Sequence, residues 1–165
     1  MILVAQNCRA GIPSWRKLIL FLLLLAPLAS PQNITVNDNL AFGSIFPGVP
    51  KSISKYMTGE AAEFLVEGTP GAEVSINFAL PPYMYTTGDN MQLVFSATDC
   101  SFDSSAAPDQ EHPLEDNINP RRTIITRLGY TGLRIWLGGT VIPTLNQKPG
   151  SYSGLIILTA TYTGN

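Results

Sequence analysis

Alternation of apolar and polar residues at period two is the feature that most restricts what this chain can fold into. Val74, Ile76, Phe78 and Leu80 form the cleanest run. The same parity recurs in Ala62, Phe64 and Val66, in Leu93, Phe95 and Ala97, in Leu133, Ile135 and Leu137, and in Ile156, Leu158, Ala160 and Tyr162. Ile34, Val36, Leu40 and Phe42 repeat it near the start, interrupted by Asp38. Such runs mark strands with one face on a core and one on solvent. Their fillers are Thr, Val, Ile, Tyr and Ser, which suit a pleated surface. Between them stand Pro47-Gly48, Gly68-Thr-Pro-Gly71, Thr87-Gly-Asp-Asn90, Gly138-Gly139 and Lys148-Pro-Gly150, all read as turns. Helical periodicity is weak, and residues 57 to 63 allow a single turn. The expected fold is therefore all-β, two packed antiparallel sheets in one domain spanning 30–165.

The segment before that domain has a different character. Arg9, Arg16 and Lys17 lead into an uncharged run of 12 residues from Leu18 to Ala29, which ends in small residues. A charged lead, a short apolar stretch and a small-residue end describe a secretory signal, assigned here to 1–29. The run is shorter than the roughly 20 residues that a spanning helix needs. No stable membrane span is expected once it is removed, and the product is expected to be exported to the periplasm, cell surface or medium. Removing 29 of the 165 residues leaves 136, with 7 basic against 12 acidic residues and a formal charge of −5. That balance argues against nucleic acid as a partner, because such binding neutralises phosphates with Lys and Arg. Cys8 leaves with the signal, so Cys100 stands alone and no internal disulfide is available.

Gly68-Thr-Pro-Gly71 joins two alternating runs. Pro70 fixes φ and Gly71 tolerates positive φ, so the join reads as a tight hairpin turn rather than a phosphate loop, which a helix would have to follow. Phe64 and Val66 on one side, and Val74 and Ile76 on the other, are expected to share one core. The stretch 101–122 breaks the pattern: it is polar, contains three prolines and reads as a loop insert.

Chemistry is sparse. Cys100 and His112 are the only thiol–imidazole pair after the signal, but His112 sits in an acidic loop without an orienting third group. The expected reading is a buried strand-end cysteine and a solvated histidine. Asp103, Asp109, Glu111, Glu115 and Asp116 lack the spacing of a calcium loop and read as solvated acids. Tyr83, Tyr85, Tyr130 and Trp136 are candidate stacking platforms for sugar rings, although Trp136, which points away from the Ile135 and Leu137 face, is expected to lie under a neighbouring loop. Asn33-Ile-Thr35 is a glycosylation sequon, relevant only in a eukaryotic secretory route. The alternating residues 34 to 42 are expected to form the domain's own first strand; the competing reading has them complete a neighbouring subunit's sheet. No catalytic, cofactor-binding or metal-ligating residue is assigned, and no cofactor is expected.

At Leu40, Phe42, Gly43, Pro47 and Gly48 the chain resembles the bacterial secreted domain-of-unknown-function family 4402, which is similar to pilin-like and spore-coat-like sandwiches. The resemblance continues through Ala62, Phe64, Val66, Gly68, Pro70 and Gly71, then Gly138, Gly139 and Thr140, and closes on Pro149, Gly150, Tyr152 and Gly154. It runs over most of residues 34 to 163. It implies an exported bacterial protein with an immunoglobulin-like antiparallel β-sandwich fold and, by association, a surface or fimbria-like role. A non-enzymatic protein of this kind is expected to act by contact, with itself or other surface proteins, through exposed strand edges and loops. A carbohydrate- or ligand-binding module using Trp136, Tyr83 and Tyr85 with the acidic loop is the alternative.

Overall fold

A computed structural model describes residues 32–164. The expected signal at 1–29 lies outside the described residues. The rest is all-β: twelve strands in three antiparallel sheets, forming a sandwich. The first sheet holds, in spatial order, β1 (Asn33–Asp38), β3 (Ala62–Glu67), β10 (Leu133–Leu137), β7 (Cys100–Asp103) and β8 (Glu115–Ile118). The second holds β2 (Lys51–Ile53), β11 (Gly139–Ile142), β6 (Asp89–Val94) and β5 (Tyr83–Thr86). The third holds β12 (Ile157–Tyr162), β4 (Glu73–Ala79) and β9 (Ile124–Arg127).

The core is made by the residues that the alternation singles out. Phe64 and Val66 of β3, Val74 and Ile76 of β4, Leu93 of β6 and Leu133, Ile135 and Leu137 of β10 are all buried in one cluster. Phe64 meets Phe78 edge-on across the sandwich, ring centroids 5.7 Å apart. That arrangement suits the ring quadrupoles.

The join at Gly68–Gly71 is not a hairpin. Strand β3 pairs with β1 and β10, whereas β4 pairs with β12 and β9. The turn carries the chain from one sheet to the facing one, with Gly71 at φ +78°. Turn residues specify a reversal of direction, and two strands that share a core can lie across it as readily as beside each other. Pro-Gly chemistry does not distinguish the two outcomes.

Gly138-Gly139 is not a turn either. The chain leaves the first sheet at Leu137 and enters the second at Gly139 with one residue between. A Cβ on Gly138 would stand 2.5 Å from the Ile53 carbonyl oxygen, so the glycine permits a close backbone crossing at a sheet corner. By contrast Thr87-Gly88 closes a true two-residue hairpin, with Thr86 opposite Asp89. The single helical turn allowed at 57–63 does not form: the Ala61 N–H donates to the Met57 carbonyl at 2.9 Å, but Gly59 between them has φ +79°, and Ala62 already opens β3.

The stretch 101–122 is only partly a loop. Residues 101–103 belong to β7 and 115–118 to β8, and the two strands pair with each other across the intervening residues. Asp103 fastens the loop: its carboxylate accepts the backbone N–H groups of Ser105 at 2.7 Å and Asp109 at 3.2 Å. Thr131 donates to the Ser105 carbonyl, and Gln110 donates to the Lys55 carbonyl at 2.7 Å. Polar residues that look solvated in sequence serve here as backbone partners.

Candidate functional site

A cleft of about 670 Å³ lies between the irregular segment 40–47 and the turn 147–152. Its apolar floor includes Phe42, Ile45, Met84 and Met91. A polar network builds the opposite wall. The Nε2 of buried Gln147 lies 2.8 Å from Asp89 Oδ2, 2.9 Å from the Asn90 carbonyl and 2.8 Å from Tyr152 Oη. Tyr152 Oη lies 2.8 Å from both Asp89 Oδ2 and the Lys148 carbonyl. Hydrogen bonds from the Lys148 backbone N–H and the Tyr152 hydroxyl hold the Asp89 carboxyl below the usual carboxylate range. These groups satisfy one another, so the network shapes the wall rather than presenting free donors. Tyr152 is legible in sequence only as part of the family resemblance, and Gln147 and Asp89 are not legible as partners, because nothing in the spacing of 89 and 147 reveals their contact.

A second, smaller opening of about 220 Å³ lies between β1 and residues 154–156. Ile34 and Val36 pair in register with Val66 and Phe64, which are buried. They are themselves 37% and 54% exposed. Strand β1 is the edge of the first sheet and β12 the edge of the third. Across the opening Leu155 is exposed as well. The sandwich therefore leaves an apolar seam where the two sheet edges fail to cover each other.

The candidate chemistry sorts as follows. Cys100 is buried in the core, and burial pushes its thiol up to about 12. His112 is 82% exposed and contacts Asp109, so the structure does not bring it to Cys100. Among the described residues no group of three or more His, Cys, Asp or Glu is arranged to hold a metal ion. Asp103 and Asp109 cap loop N–H groups, and Asp116 pairs with Lys55, while Glu111 and Glu115 are exposed. Tyr83 and Tyr85 are exposed side by side on β5, ring centroids 6.3 Å apart. Tyr130 is exposed at the turn before β10.

Trp136 is buried, and its Nε1 donates to Glu63 Oε2 at 3.1 Å. It is lost as a contact platform. Glu63 also receives Asn37 Nδ2 at 2.8 Å and pairs with Arg134. Burial alone would raise the Glu63 carboxyl, but the Asn37 and Trp136 hydrogen bonds and the Arg134 charge hold it below its ordinary value.

Residues 34 to 38 lie within the domain's own β1, with a bulge between Val36 and Asp38. Asn33 of the sequon is exposed on this edge strand. No helix among the described residues is long and apolar enough to cross a membrane. In comparison with known protein families and curated proteins, the chain matches none.

Proposed function

We propose that the protein is an exported, non-enzymatic β-sandwich that works by contact, joining copies of itself through its strand edges. The observation that carries this reading is the apolar seam between β1 and residues 154–156, where Val36 and Leu155 stand without cover and Ile34 is exposed on the same edge strand. Open edges offer unpaired N–H and C=O groups to another strand, and apolar side chains beside them add burial on association. The motif resemblance to a secreted, pilin-like family supports the same reading, as does the leader pattern in the sequence. Light scattering of the 30–165 fragment over a range of concentrations tests it. Concentration-dependent growth in mass, suppressed by Val36→Lys, is the expected result. A folded monomer at every concentration refutes self-assembly.

A second reading, a ligand-binding module, rests on the 670 Å³ cleft, whose size lies within the range of small-molecule sites. With Trp136 buried, the aromatic pair left to this module is Tyr83 and Tyr85, with Tyr130 exposed elsewhere. A glycan screen with wild type and Tyr85→Ala addresses this module, and a hit lost in the variant supports it over assembly.

A further inference from the structure

Lys55 lies just beyond β2 and is only 5% exposed. Its Nζ has three acceptors: the Thr98 carbonyl at 2.7 Å, Asp116 Oδ1 at 2.6 Å and Asn117 Oδ1 at 3.0 Å. Three acceptors satisfy a buried ammonium, and that much is a structural ion pair. The other half of the cluster goes further. Asn117 Nδ2 lies 2.9 Å from Asp116 Oδ2, so one carboxylate bridges the lysine amine and the nitrogen of the carboxamide that the amine touches. Tyr56 Oη, 2.6 Å from the same oxygen, fixes the carboxylate. Asn117 is also the one non-glycine among the described residues with positive φ, at 55°. This left-handed conformation is uncommon for a residue with a Cβ.

An amine, a carboxamide and a bridging carboxylate are the complete set of groups for amide exchange. We propose that Lys55 and Asn117 become joined by an intramolecular isopeptide bond, with Asp116 carrying the protons. Asp116 Oδ1 takes a proton from the Lys55 ammonium, and the freed amine attacks Asn117 Cγ. The Nζ–Cγ bond forms and the Cγ–Nδ2 bond breaks as the Asp116 carboxyl hands the proton it took to the departing nitrogen. The attacking nitrogen then sheds its second proton through the same carboxylate to the released ammonia. An ammonium and a carboxamide thus become a secondary amide and one ammonium ion. No oxidant, reductant or cofactor takes part, and Asp116 ends as it began. Holding the groups in contact supplies the main driving advantage, because it makes the attack unimolecular. Asn117 is exposed, which gives the ammonia a way out.

The bond would tie the segment after β2 to edge strand β8, across 62 residues of sequence. Cys100 is a free, buried thiol, so no disulfide performs this task among the described residues. The inference is independent of whether the strand edges assemble.

The test is mass spectrometry of the purified full-length product, denatured and digested. The expected result is a branched peptide containing Lys55 and Asn117, lighter by one ammonia than the two linear peptides together. Lys55→Arg keeps a cation in place and removes the nucleophile. Asn117→Ala leaves the Lys55–Asp116 pair and removes the electrophile. Both variants should fold, as judged by circular dichroism, and lack the branched peptide. Linear peptides with Lys55 and Asn117 intact in folded wild type overturn the cross-link. A branched peptide that persists in Asp116→Ala overturns the proton-carrier role.

Discussion

The outward face of the first sheet around Trp136 and the inward face at β1 invert what their residue types suggest. At the first, Glu63, Ser101, Asp103 and Trp136 stand on the parity opposite the core, and yet Ser101, Asp103 and Trp136 are buried. At the second, Ile34 and Val36 stand on the core parity and are exposed. The difference teaches that alternation tells which side of a sheet a residue occupies. Whether that side is covered depends on where the neighbouring chain lies.

The largest test of this contrast is Trp136→Ala. If the outward face is a second packed layer, the variant should lose about 3–5 kcal/mol in denaturant unfolding, as a core aromatic would. A loss below about 0.5 kcal/mol, the size of an ordinary surface change, would erase the comparison.

Glu63→Gln comes next, with an expected cost of about 1–3 kcal/mol, because Arg134 and the Trp136 N–H lose their charged acceptor. It also has a pH signature. The folded carboxyl lies below its unfolded value, so its contribution is present above the unfolded pKa and fades as pH falls through the folded one. Thermal unfolding followed through the acid range should show a flatter decline in the variant than in wild type.

Ser101→Ala sharpens the comparison from the other side. The Ser101 hydroxyl is buried and has no hydrogen-bond partner among the described residues. Removing it should be neutral or stabilising by up to about 1 kcal/mol, since an unmet buried polar group carries a desolvation penalty. A clear loss of stability in chemical unfolding would show that the hydroxyl has a partner after all.

The smallest effect on the monomer is expected for Val36→Thr. At the open seam it should change unfolding free energy by no more than about 0.5 kcal/mol. A penalty typical of a core position would mean that the seam is closed in solution.

Much of the fold was legible in the alternation. The strand parities at 62–66, 74–76 and 133–137 match the buried set because each of those strands has sheet neighbours on both sides and a facing sheet. The turn chemistry was legible at Thr87-Gly88, where the hairpin is local. It misled at Gly68–Gly71 and Gly138-Gly139, where the same residues serve a sheet crossing and a corner. The polar wall of the cleft was hidden because Asp89, Gln147 and Tyr152 meet only through tertiary structure. Lys55 was hidden for the same reason: its acceptors lie 43 and 62 residues away.

The crossing at Gly68–Gly71 has a consequence for how the protein comes into being. Because β3 does not fold back on β4, it finds its partners in β1, which precedes it, and in β10, which begins at Leu133. The first sheet cannot close until just over four-fifths of the chain is available, and among the described strands only β5 and β6 meet through a tight local turn. Pairings so distant in sequence place assembly in the slow class, milliseconds to seconds rather than microseconds. A nascent chain would remain open for most of its synthesis, threadable through a narrow passage, and would gain its shape only as its final strands emerge.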